Sequence, residues 1–167
     1  MHKKVLSETV LYYGDISMPK GFEIKQEVLS NNILQSKLQN KETDYSKSWD
    51  MLNTYIIDFF NVNYKKSLTN KKTWGEMYSP NQKTHPISEV DYLKLNESPD
   101  FVCLYGVKVK DCSVNIIYDN NKIKNNFWKI PLVDNRFIIF PSTNQYYIEN
   151  NQKNLPNFIQ TITYELK

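Results

Sequence analysis

Glycine, cysteine, histidine and arginine are all scarce in this 167-residue chain: four, two, two and one, against twenty lysines and twenty asparagines. Each shortage excludes something. With glycine only at Gly14, Gly21, Gly75 and Gly106, neither a GxGxxG nor a GxxxxGK[ST] loop can be written, so the known phosphate-cradling loops are absent. Cys103, Cys112, His2 and His85 are too few and too scattered for a zinc site of four ligands or a disulfide framework. The single arginine, Arg136, argues against dense phosphate or base-edge recognition, which favours arginine forks, so no nucleic-acid partner is indicated despite the formal charge of +3. Apolar stretches such as 55–60 and 137–141 fall far short of the ~20 residues that span a bilayer, and no membrane partner is expected. The leading residues, with Lys3 and Lys4 followed soon by Ser7 and Glu8, lack the apolar core of a signal peptide. The expectation is a soluble protein of the cytoplasm in which it is made, with both cysteines reduced and packed.

What is present divides the chain in two without a linker, so a single domain over 1–167 is expected. The stretch from Val5 to Tyr13 reads as an opening strand that stops at Gly14. Ile24, Val28, Leu29, Ile33, Leu34 and Leu38 recur at helical spacing. A second helix follows from about Ser48, with Ser46 or Ser48 as its cap. Trp49, Leu52, Tyr55, Ile56, Phe59 and Phe60 make a broad stripe on it that is read as core. These helices occupy about 22–64.

From about residue 67 the period becomes two. Segments 72–78, 101–109, 113–119, 122–130, 136–140, 145–149 and 158–166 are rich in β-branched and aromatic residues. Asp119, Asn120 and Asn121 signal a hairpin, since asparagine tolerates positive φ. Residues 79–100, with Pro80, Pro86 and Pro99, form a long loop, and loops of that length in compact domains tend to be functional. The fold class is therefore α+β: two helices packed outside an antiparallel sandwich or jelly roll of about eight strands.

The stretches WGEMYSPNQKTHP (74–86), FVCLYGVKV (101–109), FIIFPSTNQYYIENN (137–151) and FIQTITYEL (158–166) resemble the small microbial and phage branch of the Fe(II)/2-oxoglutarate-dependent oxygenases. The resemblance runs from about Ser67 to Leu166, with Phe140-Pro141-Ser142 as its best piece. It implies a double-stranded β-helix. It also implies where chemistry should be: two histidines and a carboxylate on one face of the iron, with open positions for 2-oxoglutarate and dioxygen. At the matching positions this chain has Tyr146 for the distal histidine and Ile87 two residues after His85, with Glu89 and Asp91 further on. Ile159, beside Gln160 and Thr161, stands where a basic residue should hold the co-substrate. A complete ligand set would have to recruit His2.

The reading is a degenerate member of that family, with no catalytic residue, no metal ligand and no cofactor. Trp74, Tyr78, His85, Tyr146, Ile159 and Thr161 line what remains of its pocket. The resemblance to phage members suggests a structural or assembly protein, made in the host cytoplasm and carried in a virion. Other protein subunits would be its partners, in a homo-oligomer or a larger assembly. Of the adjacent tyrosine pairs 12–13 and 146–147, one ring in each must point away from the core on a strand; Tyr12, Tyr13 and Tyr147 are the interface candidates. Two alternatives stand beside this reading. One is a working hydroxylase using Fe(II) and 2-oxoglutarate with unusual ligands; the other is a carbohydrate-binding sandwich that stacks sugars on Trp74 or Trp128.

Overall fold

The computed structural model describes residues 9–42, 46–120 and 125–167. Its elements run β1 (Tyr12–Asp15), α1 (Gln26–Gln39), α2 (Lys47–Tyr64), β2 (Leu68–Tyr78), a short 3-10 turn (Leu95–Glu97), β3 (Phe101–Lys108), β4 (Cys112–Asn120), β5 (Asn125–Leu132), β6 (Arg136–Pro141), β7 (Tyr146–Asn150) and β8 (Asn157–Leu166). Two antiparallel sheets form, one ordered β1-β6-β3-β8-β2 and one ordered β5-β4-β7. This is the α+β double-stranded β-helix, with both helices outside the larger sheet.

Helix α2 starts where the sequence places it. The Ser46 side chain accepts a hydrogen bond from the Trp49 backbone N–H at 3.4 Å, satisfying one of the orphan donors of the first turn. Trp49, Leu52, Ile56 and Phe60 are buried beneath it. The stripe joins the sheet through ring contacts: Phe60 lies 5.8 Å from Phe101 and Phe59 lies 5.3 Å from Phe137. Helix α1 differs from its expected face. Leu29 and Ile33 are buried, but Val28 and Leu38 point to solvent. Buried Ser30 and Ser36 complete the inner face, their hydroxyls donating to the carbonyls of Glu27 and Ile33. Ile33 comes so close to β2 that a Cβ on Gly75 would lie 2.1 Å from its Cγ1. Glycine there sets how near α1 can pack.

The larger sheet therefore separates two cores. Cys103, Tyr105, Phe137, Phe158, Ile162 and Tyr164 face the helices. Val102, Leu104, Val114, Ile138, Ile148 and Ile159 fill the space between the sheets. Strand β3 is buried on both sides for seven successive residues, which explains why its sequence is a nearly unbroken apolar run. The reduced thiols of Cys103 and Cys112 both lie in these cores. Burial pushes the Cys112 thiol up to about 12, so it is not a nucleophile near neutral pH.

Several expected boundaries shift. β1 occupies Tyr12–Asp15 rather than 5–13, and residues 5–8 lie outside the described ones. β2 begins at Leu68, four residues before the expected strand. β4 and β5 do pair as a hairpin up to Asn120 opposite Asn125, while the turn at 121 lies outside the described residues. The only arginine ties β1 to β6, its guanidinium donating to both carboxylate oxygens of Asp15 at 2.7 and 3.3 Å. Among the described residues, no helix is long and apolar enough to cross a membrane.

Candidate functional site

The loop that joins β2 to β3 runs along the outer edge of β7 as a strap. It is less irregular than its three prolines imply. Ile87 exchanges backbone hydrogen bonds with Tyr146 in both directions, at 2.7 and 3.1 Å, and Lys83 bridges to Glu149. The Thr84 N–H donates to the Ile148 carbonyl, and the Asn150 N–H donates to the Gln82 carbonyl. The strap thus adds to the free side of β7. Proline lacks the N–H that a continuous ladder needs, so Pro80 and Pro86 hold the pairing to isolated bridges.

Alternation along β2 and β8 decides what lies beneath it. Trp74 pairs with Thr161, Glu76 with Ile159 and Tyr78 with Asn157, so these side chains share the face turned toward the smaller sheet. Tyr78, Ile159 and Tyr146 belong to one buried cluster. Tyr146 is 2% exposed and packs edge-on against Phe140 at 5.3 Å. Its hydroxyl donates to Glu89 Oε1 at 2.9 Å. Burial raises the Tyr78 and Tyr146 phenols well above their ordinary range, helped by the nearby Glu89 and Glu76 charges. Burial also raises the Glu89 carboxyl, against the opposing pull of the Tyr146 hydrogen bond and of Lys72.

Of the six expected pocket residues, Tyr78, Tyr146, Ile159 and Thr161 are buried at this end, and Trp74 is half-buried at its rim. His85 is not with them: it sits on the strap, exposed. Asp91 is exposed too, its carboxylate accepting the Leu93 N–H. Gln160 faces the helices instead, fully buried, with neither amide atom hydrogen-bonded. Sequence reasoning missed Glu89 as the partner of Tyr146, and Lys72 and Glu76 as the charges around it. The signal available for Glu76 was the β2 alternation itself.

The interface tyrosines separate in a similar way. Tyr12 turns inward, its ring 5.2 Å from Phe60 and 4.0 Å from Tyr64, so the protein's own core occupies it. Tyr13 is 53% exposed and meets Trp128 edge-on. Tyr147 is half-buried between Phe127 and the Lys83 ammonium, which lies 4.8 Å above its ring.

The donor set at this end does not fit a ferrous ion. The three positions that the sequence resemblance matches to histidine, carboxylate and histidine hold an exposed His85, an Ile87 with no donor atom, and a phenol whose proton is committed to Glu89. Among the described residues, no three His, Cys, Asp or Glu side chains converge where a metal could be held; His2 lies outside them. Ile159, which the resemblance matches to the co-substrate anchor, is fully buried in apolar surroundings, and Arg136 is bound to Asp15.

The raised Glu89 carboxyl makes stability depend on pH in a defined direction. The folded chain holds this proton more tightly than the unfolded chain, where glutamate titrates near ~4.3. The folded state is therefore favoured most below that value and loses ground as pH rises through the window up to the raised value. Glu89→Gln keeps an acceptor for Tyr146 and removes the buried charge. Its melting temperature is expected to exceed the parent's at pH 7, with the gap closing toward pH 4. A parent more stable than the variant by the same margin at both pH values refutes this account.

No family model matches the chain, and no curated protein matches it by sequence. Solved structures do match. A prolyl-4-hydroxylase from Pseudomonas putida superposes with a TM-score of 0.60 at 5% identity, covering 93% of this chain and 84% of the other. A prolyl hydroxylase from Trichoplax adhaerens, solved with a hypoxia inducible factor peptide fragment, gives 0.63 at 10% identity over 93% and 83%. The viral collagen prolyl hydroxylase of Paramecium Bursaria Chlorella virus-1, solved with 2OG, gives 0.59 at 15% identity over 92% and 95%. At such identities the likeness is one of fold: this chain has the double-stranded β-helix of the 2OG-Fe(II) oxygenases, at low sequence identity and without a metal-binding group among its described residues.

Proposed function

We propose that the chain is a non-catalytic scaffold built on the oxygenase-like barrel, acting as a structural subunit in a protein assembly. A phage virion is the setting to which the sequence resemblance points. One observation carries the reading: Tyr146, which the sequence resemblance matches to the distal metal histidine, is buried and hydrogen-bonded to Glu89 of the strap. A phenol in that position cross-links strap to barrel. It supplies no low-pKa oxygen to a metal, because burial and the neighbouring carboxylates favour its protonated form.

Titration of the protein with Fe(II) under anoxic conditions, and with Mn(II) as a redox-silent substitute, is expected to show no tight one-to-one binding. Conversion of 2-oxoglutarate to succinate is expected to stay at the level of a metal-free control. Stoichiometric binding that His85→Ala abolishes, or turnover above that control, overturns the scaffold reading in favour of a hydroxylase with unusual ligands.

A further inference from the structure

The outer N–H and C=O groups of an edge strand lack partners, and native proteins block such edges because another chain can pair there. The two sheets have four edges: β1, β2, β5 and β7. β1 is only four residues long, and β7 is taken by the strap. β5 carries Pro131, which has no N–H to offer a ladder. β2 differs from all three. At eleven residues it is the longest strand, and among the described residues its only strand partner is β8.

A cleft of about 910 Å3 runs beside it, and every residue from Lys71 to Glu76 lines that cleft. Successive side chains of a strand point to opposite faces, so a cavity that meets six in a row lies along the edge and not over one face. What spans this edge is an ion pair. Lys37 is in the last turn of α1, on the helix side of the sheet, where Gly75 lies against Ile33. Glu76, the next residue along β2, points the other way: its cross-strand partner Ile159 belongs to the core between the sheets. Yet Lys37 Nζ lies 2.7 Å from Glu76 Oε2. Coming from opposite faces, the two side chains meet around the free edge of β2, where an added strand would lie.

Both side chains are partly exposed, at 41% and 35%, and a surface pair of this kind adds little to the stability of the fold. Its position is what matters. An incoming strand has to part the pair and take both charges out of water, a cost that its own ladder hydrogen bonds must exceed. The start of β2 is blunted separately, by Lys71 and Lys72 and by a register shift between Asn70 and Lys72, devices common at sheet edges. We infer that Lys37 and Glu76 form an ionic guard that keeps the β2 edge from pairing with another chain, and that opening it lets two copies join β2 to β2. In a solution of this protein, the edge most available to an unguarded β2 is the same edge of another copy. That pairing is isologous and closes as a dimer about a two-fold axis, with the larger sheet continuing from one copy into the other. The inference goes beyond the scaffold reading and does not depend on it.

Sedimentation velocity of the full chain at low ionic strength, over a concentration series up to about 1 mM, tests it together with amide hydrogen exchange. Glu76→Gln and Lys37→Met each remove one charge from a partly exposed position, so both are expected to melt within a few degrees of the parent. At a given concentration, each is expected to show a dimer fraction about ten-fold or more above the parent's. The charge-reversed double variant, Lys37→Glu with Glu76→Lys, restores a pair of opposite charges and is expected to return to the parent's behaviour. In the dimers, exchange is expected to slow in segment 71–76 and to stay unchanged in β5. Salt near ~0.5 M, which screens exposed charges, is expected to move the parent toward the single variants. Single variants no more associated than the parent overturn the guard, as does association that charge reversal fails to suppress. Dimers whose slowed exchange lies outside β2 overturn the β2-to-β2 pairing. None of these results bears on iron or 2-oxoglutarate, so failure here leaves the scaffold reading standing.

Discussion

Gly106→Ala is expected to destabilise the fold by about 3 kcal/mol or more, because the added Cβ meets backbone with no room to yield. An ideal Cβ at this position lies 2.1 Å from the Val133 carbonyl oxygen. That oxygen is held in a tight turn, accepting the Arg136 N–H at 3.2 Å, with Asn135 at φ 65°. Asn135 in turn donates its N–H to the Gly106 carbonyl at 2.8 Å, so moving the turn aside breaks the bond that positions it. Strand β3 also changes register against β8 just after Gly106, a bulge that glycine permits. For a domain of this size the loss corresponds to a melting temperature lower by roughly 6–12 °C. Gly14→Ala is the control, since its Cβ meets only the Phe137 ring edge at 3.4 Å; a change within about 1 kcal/mol is expected. Thermal unfolding of both variants checks the pair, and equal small effects would show that the β5–β6 turn is not packed on Gly106.

Tyr146→Ala is expected to cost about 3–5 kcal/mol, the range for removing a large buried ring. The ring is in the core between the sheets, edge-on to Phe140, and both of its backbone groups pair with Ile87 of the strap. Tyr146→Phe keeps the ring and removes only the hydroxyl, so about 1–2 kcal/mol is expected, from a half-buried Glu89 left without its donor. The contrast between the two substitutions bears on function as well as stability. A metal-ligand position in a working oxygenase site faces an open cavity, and truncation there should leave the barrel nearly as stable as before. Denaturant unfolding that shows Tyr146→Ala within 1 kcal/mol of the parent would mean that this end of the barrel is open, and the scaffold proposal would lose the observation it rests on.

Local rules accounted for much of the architecture because the elements concerned are amphipathic in a simple way. α2 has one buried stripe, a serine cap and acid in its first turn, and each of these reads from sequence spacing alone. β7 alternates buried and half-buried residues without interruption, so Tyr146 inward and Tyr147 outward follow from period two. Elsewhere two partners compete for one side chain, and spacing does not decide between them. Val28 and Leu38 sit at helical spacing with Ile33, yet Gly75 draws α1 so close that only the Leu29, Ile33 and Ser36 face fits against β2. Tyr12 and Tyr13 are equally apolar; Phe60 and Tyr64, dozens of residues later, draw in the first.

The candidate site divides along the same line. That no histidine stands at position 146, no carboxylate at 87 and no arginine on β8 is a property of the sequence alone. That Tyr146 is buried beside Ile159 and hydrogen-bonded to Glu89 of the strap was decided by tertiary structure. Glu89 reaches Tyr146 across 57 residues of chain, and no local pattern encodes so distant a pair. Residue types bound the chemistry a chain can perform; which of them meet depends on long-range contacts that form only when the sheets close.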